Sequence, residues 1–396
     1  MLHSTKIAKA LEEKIQQFRD YDVGIRDEMS VYSNALDKLE TLTYSEILDL
    51  VELPAGALPS REWKENRSLI YRFDQEFHNH EEARAYASQI LFDRTTFSVD
   101  GSQIQPVPDI SIPVAAVQVG WFENPHNPSK NYVKDIKIDI LPPEDIFIDR
   151  NGVSVFSDQT VSQRRFQLEI EVLCDWMEKV EGMQPTPIAF LDGSLILSFT
   201  ERLDQAQREI YLKLILHLLE TSYRTKIPVV GYVSESRARD LMTLLAQIEK
   251  IKHKPHTLSD AMILYNRMRW GDRTPVWICN RHGILTDYRD KSTDTYWGDQ
   301  ICFFYLKTSE QNVPSRVEIP RWVVEEGMTE EVAQIVRAET IVGNGYPYVI
   351  ETADALAVLS SEDRIRFYQI FESFADKNNI KLRIASKIQS KMRRRQ

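Results

Sequence analysis

Apolar residues recur at helical spacing at the start of the chain. Ile7, Leu11, Ile15 and Phe18 fall on one side of a helix, and Tyr44 to Val51 forms a shorter amphipathic stretch. Pro54 to Pro59 interrupts the pattern, and Phe77 to Ile90, rich in Glu, Ala and His, predicts a third helical segment. Residues 1–90 therefore read as a polar helical region suited to assembly or partner docking. His78 and His80 lie two apart, on different faces of a helix, and do not form a metal pair.

From about residue 94 the pattern changes. Thr95–Val99, Val114–Phe122 and Val133–Ile140 are β-rich runs separated by Pro, Asn and Gly, which predicts an antiparallel meander. A helix over Val161 to Val180, a buried strand at Ile188–Leu191, a helix from Leu203 to Thr221, a strand at Ile227–Val233 and a helix from Ser236 to Lys250 follow. That order predicts an α/β fold: a mixed central sheet flanked by helices, antiparallel in its first half and joined by crossover helices after it. It is the order of a ribonuclease H-like core. Further on, Thr274–Cys279, Ile301–Leu306 and Arg316–Ile319 read as strands, and Glu330 to Glu339, Ala353–Val358 and Glu362 to Ala375 as helices.

Composition narrows the class. Of 396 residues 42% are hydrophobic and 27% charged, which fits a globular chain and excludes a collagenous or low-complexity one. The apolar runs Ile188–Leu191 and Ile227–Val230 are far too short to span a bilayer. Met1–Lys14 reads as a polar helix rather than an export leader, and the three scattered cysteines, Cys174, Cys279 and Cys302, offer neither a disulfide framework nor a thiolate zinc site. A cytoplasmic location is the simple expectation. The net charge of −10 does not exclude nucleic acid, since binding depends on where cations sit. Lys381, Arg383, Lys387, Lys391 and Arg393 to Arg395 crowd the last sixteen residues, as a solvated terminus or as a phosphate-binding tail.

The candidate chemistry rests on carboxylates. Asp-Gly-Ser occurs twice, at Asp100-Gly101-Ser102 after the first β-run and at Asp192-Gly193-Ser194 after Ile188–Leu191. Asp-Gly is a common turn dipeptide. An Asp at the end of a central strand is also expensive unless paired or bound to a cation, and two from neighbouring strands can converge on one hard divalent ion. In the helix from Arg165 to Met177, Phe166, Ile170, Leu173 and Met177 form one face; Glu169 lies inside the apolar arc and Glu171 points away. Glu169 either binds a metal beside Asp192 or pairs with Arg164 or Arg165. Late in the chain, Glu351 and Asp354 sit i, i+3 on the first turns of a helix, where carboxylates also serve as caps.

The paired elements VDGSQI and FLDGSL, the helix RRFQLEIEVLCDWM between them and the late GYPYVIETADALA resemble the NurA nuclease family. The resemblance covers roughly Arg94 to Lys387 and implies a NurA-type ribonuclease H-like nuclease domain over residues 91–390, with the basic tail at its end. It further implies a DNA nuclease using Mn²⁺ or Mg²⁺, with two ions expected, acting as a homodimer with a HerA-type hexameric ATPase. The implied role is resection of broken DNA ends in double-strand break repair, as a 5′-to-3′ exonuclease with single-strand endonuclease activity. By the same resemblance Asp100, Glu169, Asp192 and Asp354 hold the metal, and Tyr346 completes the catalytic set. Glu171 stands as the alternative to Glu169, and some family members carry His where this chain has Asp354. Arg237, Arg239 and the basic tail are candidate backbone contacts, and PSRVEIPRW, with Arg316 and Glu318, is family-like without a derived role.

Competing readings remain at this level. A catalytically inactive adaptor of a ring ATPase keeps the fold without the chemistry, and another two-metal phosphotransferase keeps the chemistry with a different substrate. His253 and His256 flank Pro255 in a Lys-rich segment and read as loop rather than zinc ligands. Ser102 and Ser194 do not stand in a Gly-x-Ser-x-Gly elbow, and no Gly-x-x-x-x-Gly-Lys loop supplies ATP hydrolysis.

Overall fold

The computed structural model describes residues 2–107, 110–150, 153–156, 158–252 and 258–383. His253, His256, Lys387, Lys391 and Arg393 to Arg395 lie outside the described residues. The principal strands are β1 (Gly56–Pro59), β2 (Thr96–Ile104), β3 (Ala115–Asn124), β4 (Val133–Leu141), β5 (Ile188–Asp192), β6 (Val229–Val233), β7 (Trp277–Asn280), β8 (Ile301–Leu306) and β9 (Ser315–Pro320). The principal helices are α1 (Ile15–Leu39), α2 (Asp158–Lys179), α3 (Gln205–Thr225), α4 (Asp240–Ile248), α5 (Thr329–Val342), α6 (Tyr348–Ala357) and α7 (Ser361–Lys377). Among the described residues no helix is long and apolar enough to cross a membrane.

The chain forms two compact units. Met1–Glu76 packs with Val233–Thr329, and Phe77–Tyr232 with Glu330–Gln396. This grouping differs from a cut at residue 90, because residues 56–59 pair with residues 277–280, far along the chain. The segment Pro54 to Pro59, expected only to break a helical pattern, supplies β1. Gly56 there has φ +80°, and a Cβ on it would fall 2.5 Å from the Asp240 carbonyl oxygen. Glycine is thus required both by the backbone conformation and by the close approach of α4.

In the first unit β1, β7, β8 and β9 pair antiparallel in that order. All six residues of β8 are buried, as a continuous apolar run demands. Tyr32, Leu36 and Leu39 bury the last turns of α1. At the centre lies an ionic network. Arg316, 1% exposed, donates to Asp240 Oδ2 at 2.6 Å and to Glu318 Oε1 at 2.7 Å, and Arg281 holds the same Asp240 at 2.5 and 2.6 Å. Arg316 also lies 3.7 Å from the centre of the Phe303 ring. Arg316 and Glu318 therefore satisfy each other's buried charge within this unit, where removing one partner is costly.

In the second unit the meander β2–β3–β4 is antiparallel, and β5 and β6 add parallel to β2 on its other side. With strands numbered by their order within the unit, the spatial order is 3-2-1-4-5, the ribonuclease H-like arrangement that the sequence pattern predicts. Side chains alternate between faces along a strand. Phe97 of β2 stacks on Trp176 of α2 at 4.5 Å, which fixes the odd positions of β2 on the α2 face. Thr96 donates to Glu339 of α5 at 2.8 Å, which fixes the even positions on the other. Helix α3 packs beside α2; it opens at Asp204, whose side chain accepts from the Gln207 amide at 3.0 Å, and ends at left-handed Lys226. The far ends of β2 and β3 close over Ile104, Ile110, Val114 and Ala116, packed by Tyr368, Phe367 and Phe371 of α7.

Candidate functional site

The parallel pairing of β2 and β5 aligns Val99 with Leu191. Asp100 and Asp192 are the next residues of their strands, so the two Asp-Gly-Ser tripeptides occupy the same rung and their aspartates project to the same face. Asp100 is paired across to Gly120 of β3, and Asp192 to Tyr232 of β6.

The two glycines do different work. The first tripeptide is not at a strand exit, as the apolar run suggests, because β2 continues to Ile104 with Ser102 and Ile104 still paired to β3. Gly101 points to the opposite face from Asp100, where a Cβ would lie 2.4 Å from Glu169 Oε1 and 2.7 Å from Arg165 Cγ. The missing side chain opens a notch, and Glu169 of α2 fills it. Gly193 has φ +139° and a clear surround, and ends β5 with a turn. The repeated tripeptide thus uses glycine once for close approach and once for conformation.

Glu169 is buried, whereas Glu171 is half-exposed and is held by Gln167 at 2.7 Å and Arg164 at 3.7 Å. Of the two, Glu169 is the one against Asp100-Gly101. Its Oε1 has no hydrogen bond and lies 3.4 Å from Arg165 Nη1, which also donates to the Gly101 carbonyl at 2.9 Å. Glu169 therefore pairs with Arg165 and lies against Asp100-Gly101.

The late element arrives on the aspartate face. Gly120 lets α6 approach so closely that a Cβ there would touch Leu356 Cβ at 2.8 Å and the Ala357 nitrogen at 2.9 Å. Asp354 of α6 reaches hydrogen-bonding distance of Asp100. Tyr346, just before α6, donates to Asp192 Oδ1 at 2.6 Å and packs edge-on against Tyr232, ring centres 5.1 Å apart.

Burial first, and neighbouring acids second, shift the protonation of these groups. Burial raises Asp100 to about 6; the Gly101 amide opposes this, and Asp354 and Asp192 add to it. Burial raises Glu169 to about 7, with Arg165 pulling it down and the charges of Asp100 and Asp192 pushing it up. Asp192 is also raised, by burial first, while the Tyr346 hydroxyl lowers it and Asp354 raises it. The Tyr346 phenol is driven upward by burial and by Asp192, so it stays a donor.

Asp100, Asp192, Asp354 and Tyr346 share one face within the second unit, and Glu169 sits behind Gly101 on the other. Among the described residues no group of three or more His, Cys, Asp or Glu stands ready-arranged to hold a metal ion. The donor set itself suits a hard divalent cation: all its ligands are oxygens, one buried carboxylate oxygen lacks a hydrogen bond, and the acids share too little positive charge. Arg237 is exposed and Arg239 half-buried, both in the first unit with Arg316 and Glu318. Two contributors are not apparent from motifs. Arg165 is signalled only by its i, i+4 spacing to Glu169, and Tyr232 only by its place at the end of an apolar strand.

The sequence profile of the NurA domain matches residues 94–359. Among solved structures, the crystal structure of NurA with manganese aligns at 10% identity and a TM-score of 0.42, over 72% of this chain and 89% of that one. The crystal structure of NurA aligns at 8% identity and a TM-score of 0.39, over 71% and 88%. The catalytic domain of human Endonuclease V aligns at 12% identity and a TM-score of 0.32, over 76% and 97%. A comparison with curated protein sequences gives no match.

Proposed function

The chain belongs to the NurA domain family, and from that premise we propose that it is a divalent-metal-dependent nuclease that hydrolyses DNA phosphodiesters. The observation that carries the reading is the convergence of Asp100, Asp192 and Asp354 on one face with Glu169 entering through the Gly101 notch, three of the carboxyls raised by burial first and by their acidic neighbours second. Such a site lacks positive charge and is built from oxygen donors.

In this reading Asp100, Asp192, Asp354 and Glu169 hold Mn²⁺ or Mg²⁺, as two ions. When bound, the metal supplies a Lewis acid for the phosphoryl oxygens and a more acidic attacking water. Tyr346 fixes the orientation of Asp192 through its 2.6 Å hydrogen bond, which engages the phenol's single proton. Arg165 holds the backbone at Gly101 and balances Glu169 until the site is loaded. Burial, with Asp354 adding to it, raises Asp100 to about 6, so loading the site below that pH displaces a proton from Asp100.

The finer reading follows the family: 5′-to-3′ exonuclease action with single-strand endonuclease activity, a homodimer, a HerA-type hexameric ATPase as partner, and DNA end resection in the cytoplasm during double-strand break repair. The test is cleavage of end-labelled single- and double-stranded DNA with Mn²⁺, Mg²⁺ or EDTA. Asp100→Ala and Asp192→Ala are expected to lose activity on the order of a thousandfold while keeping the wild-type melting temperature within a few degrees. Metal-independent cutting, or full activity in either variant, would overturn the assignment. Absence of cutting by the wild-type chain, alone and with its ATPase partner, would leave the adaptor reading.

A further inference from the structure

One fully buried carboxylate in the second unit belongs to none of the groups above. Glu339 of α5 is 0% exposed. Its Oε1 accepts from Thr96 Oγ1 at 2.8 Å and lies 3.3 Å from His126 Nε2. Its Oε2 accepts from the Val349 backbone amide at 3.0 Å. The His126 ring is held in place by its other nitrogen, 2.7 Å from the Arg94 carbonyl oxygen.

A carboxylate in an apolar interior is costly, and a Leu or Met would fill the same volume without that cost. The partners show what it does. Thr96 lies on β2, four residues before Asp100 and on the same face. Val349 is the second residue of α6, the helix that carries Asp354. Pro347 at the N-cap of α6 has no side-chain acceptor to offer, so Glu339 supplies one from the preceding helix. One side chain thus ties the strand bearing Asp100 to the start of the helix bearing Asp354.

We infer that Glu339 is a positioning residue of the carboxylate site, setting the depth and rotation of α6 on β2 and so the approach of Asp354 to Asp100. The inference rests on reading those two aspartates as one site. Glu339→Gln can keep the clamp, with its carbonyl turned to the Val349 amide and its NH₂ to Thr96 and His126. Glu339→Leu cannot, and Thr96→Val removes one donor with little change in volume.

The test combines hydrogen exchange of the full-length protein with calorimetric Mn²⁺ titration, neither of which requires cleavage. Glu339→Leu is expected to speed exchange in residues 348–357 and weaken Mn²⁺ binding by roughly 10-fold, Thr96→Val to do both less, and Glu339→Gln to stay within about 2-fold of wild type. In an Asp354→Ala background, Glu339→Leu and Thr96→Val should weaken Mn²⁺ binding no further, because the clamp acts through Asp354; a loss from general destabilisation would persist. If Glu339→Leu does not fold, Thr96→Val decides. Wild-type exchange rates in residues 348–357 of the folded variant, or full additivity with Asp354→Ala, would overturn the inference. Failure of DNA cleavage alone would count against the nuclease reading and leave the exchange result to judge the clamp.

Discussion

Replacing Glu169 by Gln should stabilise the metal-free protein at alkaline pH and abolish its capacity for metal-dependent cleavage. The folded chain raises this carboxyl from an ordinary 4.5 to about 7. A raised carboxyl means that the folded state holds its proton longer than the unfolded one. Ionisation therefore costs the folded state nothing below pH 4.5, progressively more between 4.5 and about 7, and the full amount above that. The full cost corresponds to ~3 kcal/mol. Gln removes it but leaves Arg165 without its 3.4 Å partner, which leaves a net gain of ~2 kcal/mol, or roughly 4–8 °C in melting temperature for a unit of this size. The assay is thermal denaturation of both proteins in EDTA from about pH 4 to pH 8. The difference should be near zero at the acid end and largest at the alkaline end. Adding Mn²⁺ should raise the wild-type melting temperature above pH 7 and leave the variant unmoved. A difference that does not vary with pH would refute the account of why Glu169 is buried beside two aspartates.

Other perturbations probe the same geometry. Gly101→Ala would put a methyl 2.4 Å from Glu169 Oε1 and 2.7 Å from Arg165 Cγ; cleavage should fall roughly 10-fold or more with less than ~2 kcal/mol of destabilisation, read by paired activity and urea denaturation. Tyr346→Phe removes the hydrogen bond that lowers Asp192, so Asp192 titrates higher and the acid limb of the pH–rate profile should move to higher pH. Arg316→Met removes the cation that buried Asp240 and Glu318 share; chemical denaturation should show a loss of ~3–5 kcal/mol.

Much of the second unit's fold was legible because its strands and helices differ in period. Three alternating β-runs, then helix and apolar strand in turn, leave few arrangements other than a meander extended by crossovers. The Asp100–Asp192 relation was legible for a different reason: the same tripeptide ends two apolar β-runs that register places side by side. The arc of Phe166, Ile170 and Leu173 located Glu169. Tyr346 and Asp354 entered only through the family resemblance, since a turn followed by two carboxylates reads equally as a capped helix. What stayed hidden depended on distant pairing. Pro54 to Pro59 looks like a break, with two prolines in six positions, and residues 56–59 become a strand only because residues 277–280 offer an edge. The Arg316 network was similarly invisible, because its Asp240 and Arg281 partners come from separate stretches of chain.

The first unit's interleaving has a consequence during synthesis. Strand β1 emerges early, but its partner β7 begins at Trp277, which a ribosome reaches roughly 10–40 s later. For that interval the newborn amino-terminal portion has an unfilled sheet edge and uncovered apolar side chains, while most of the intervening polypeptide leaves the exit tunnel. Chaperone demand should therefore peak before translation passes residue 280 and fall once β7 is available to pair.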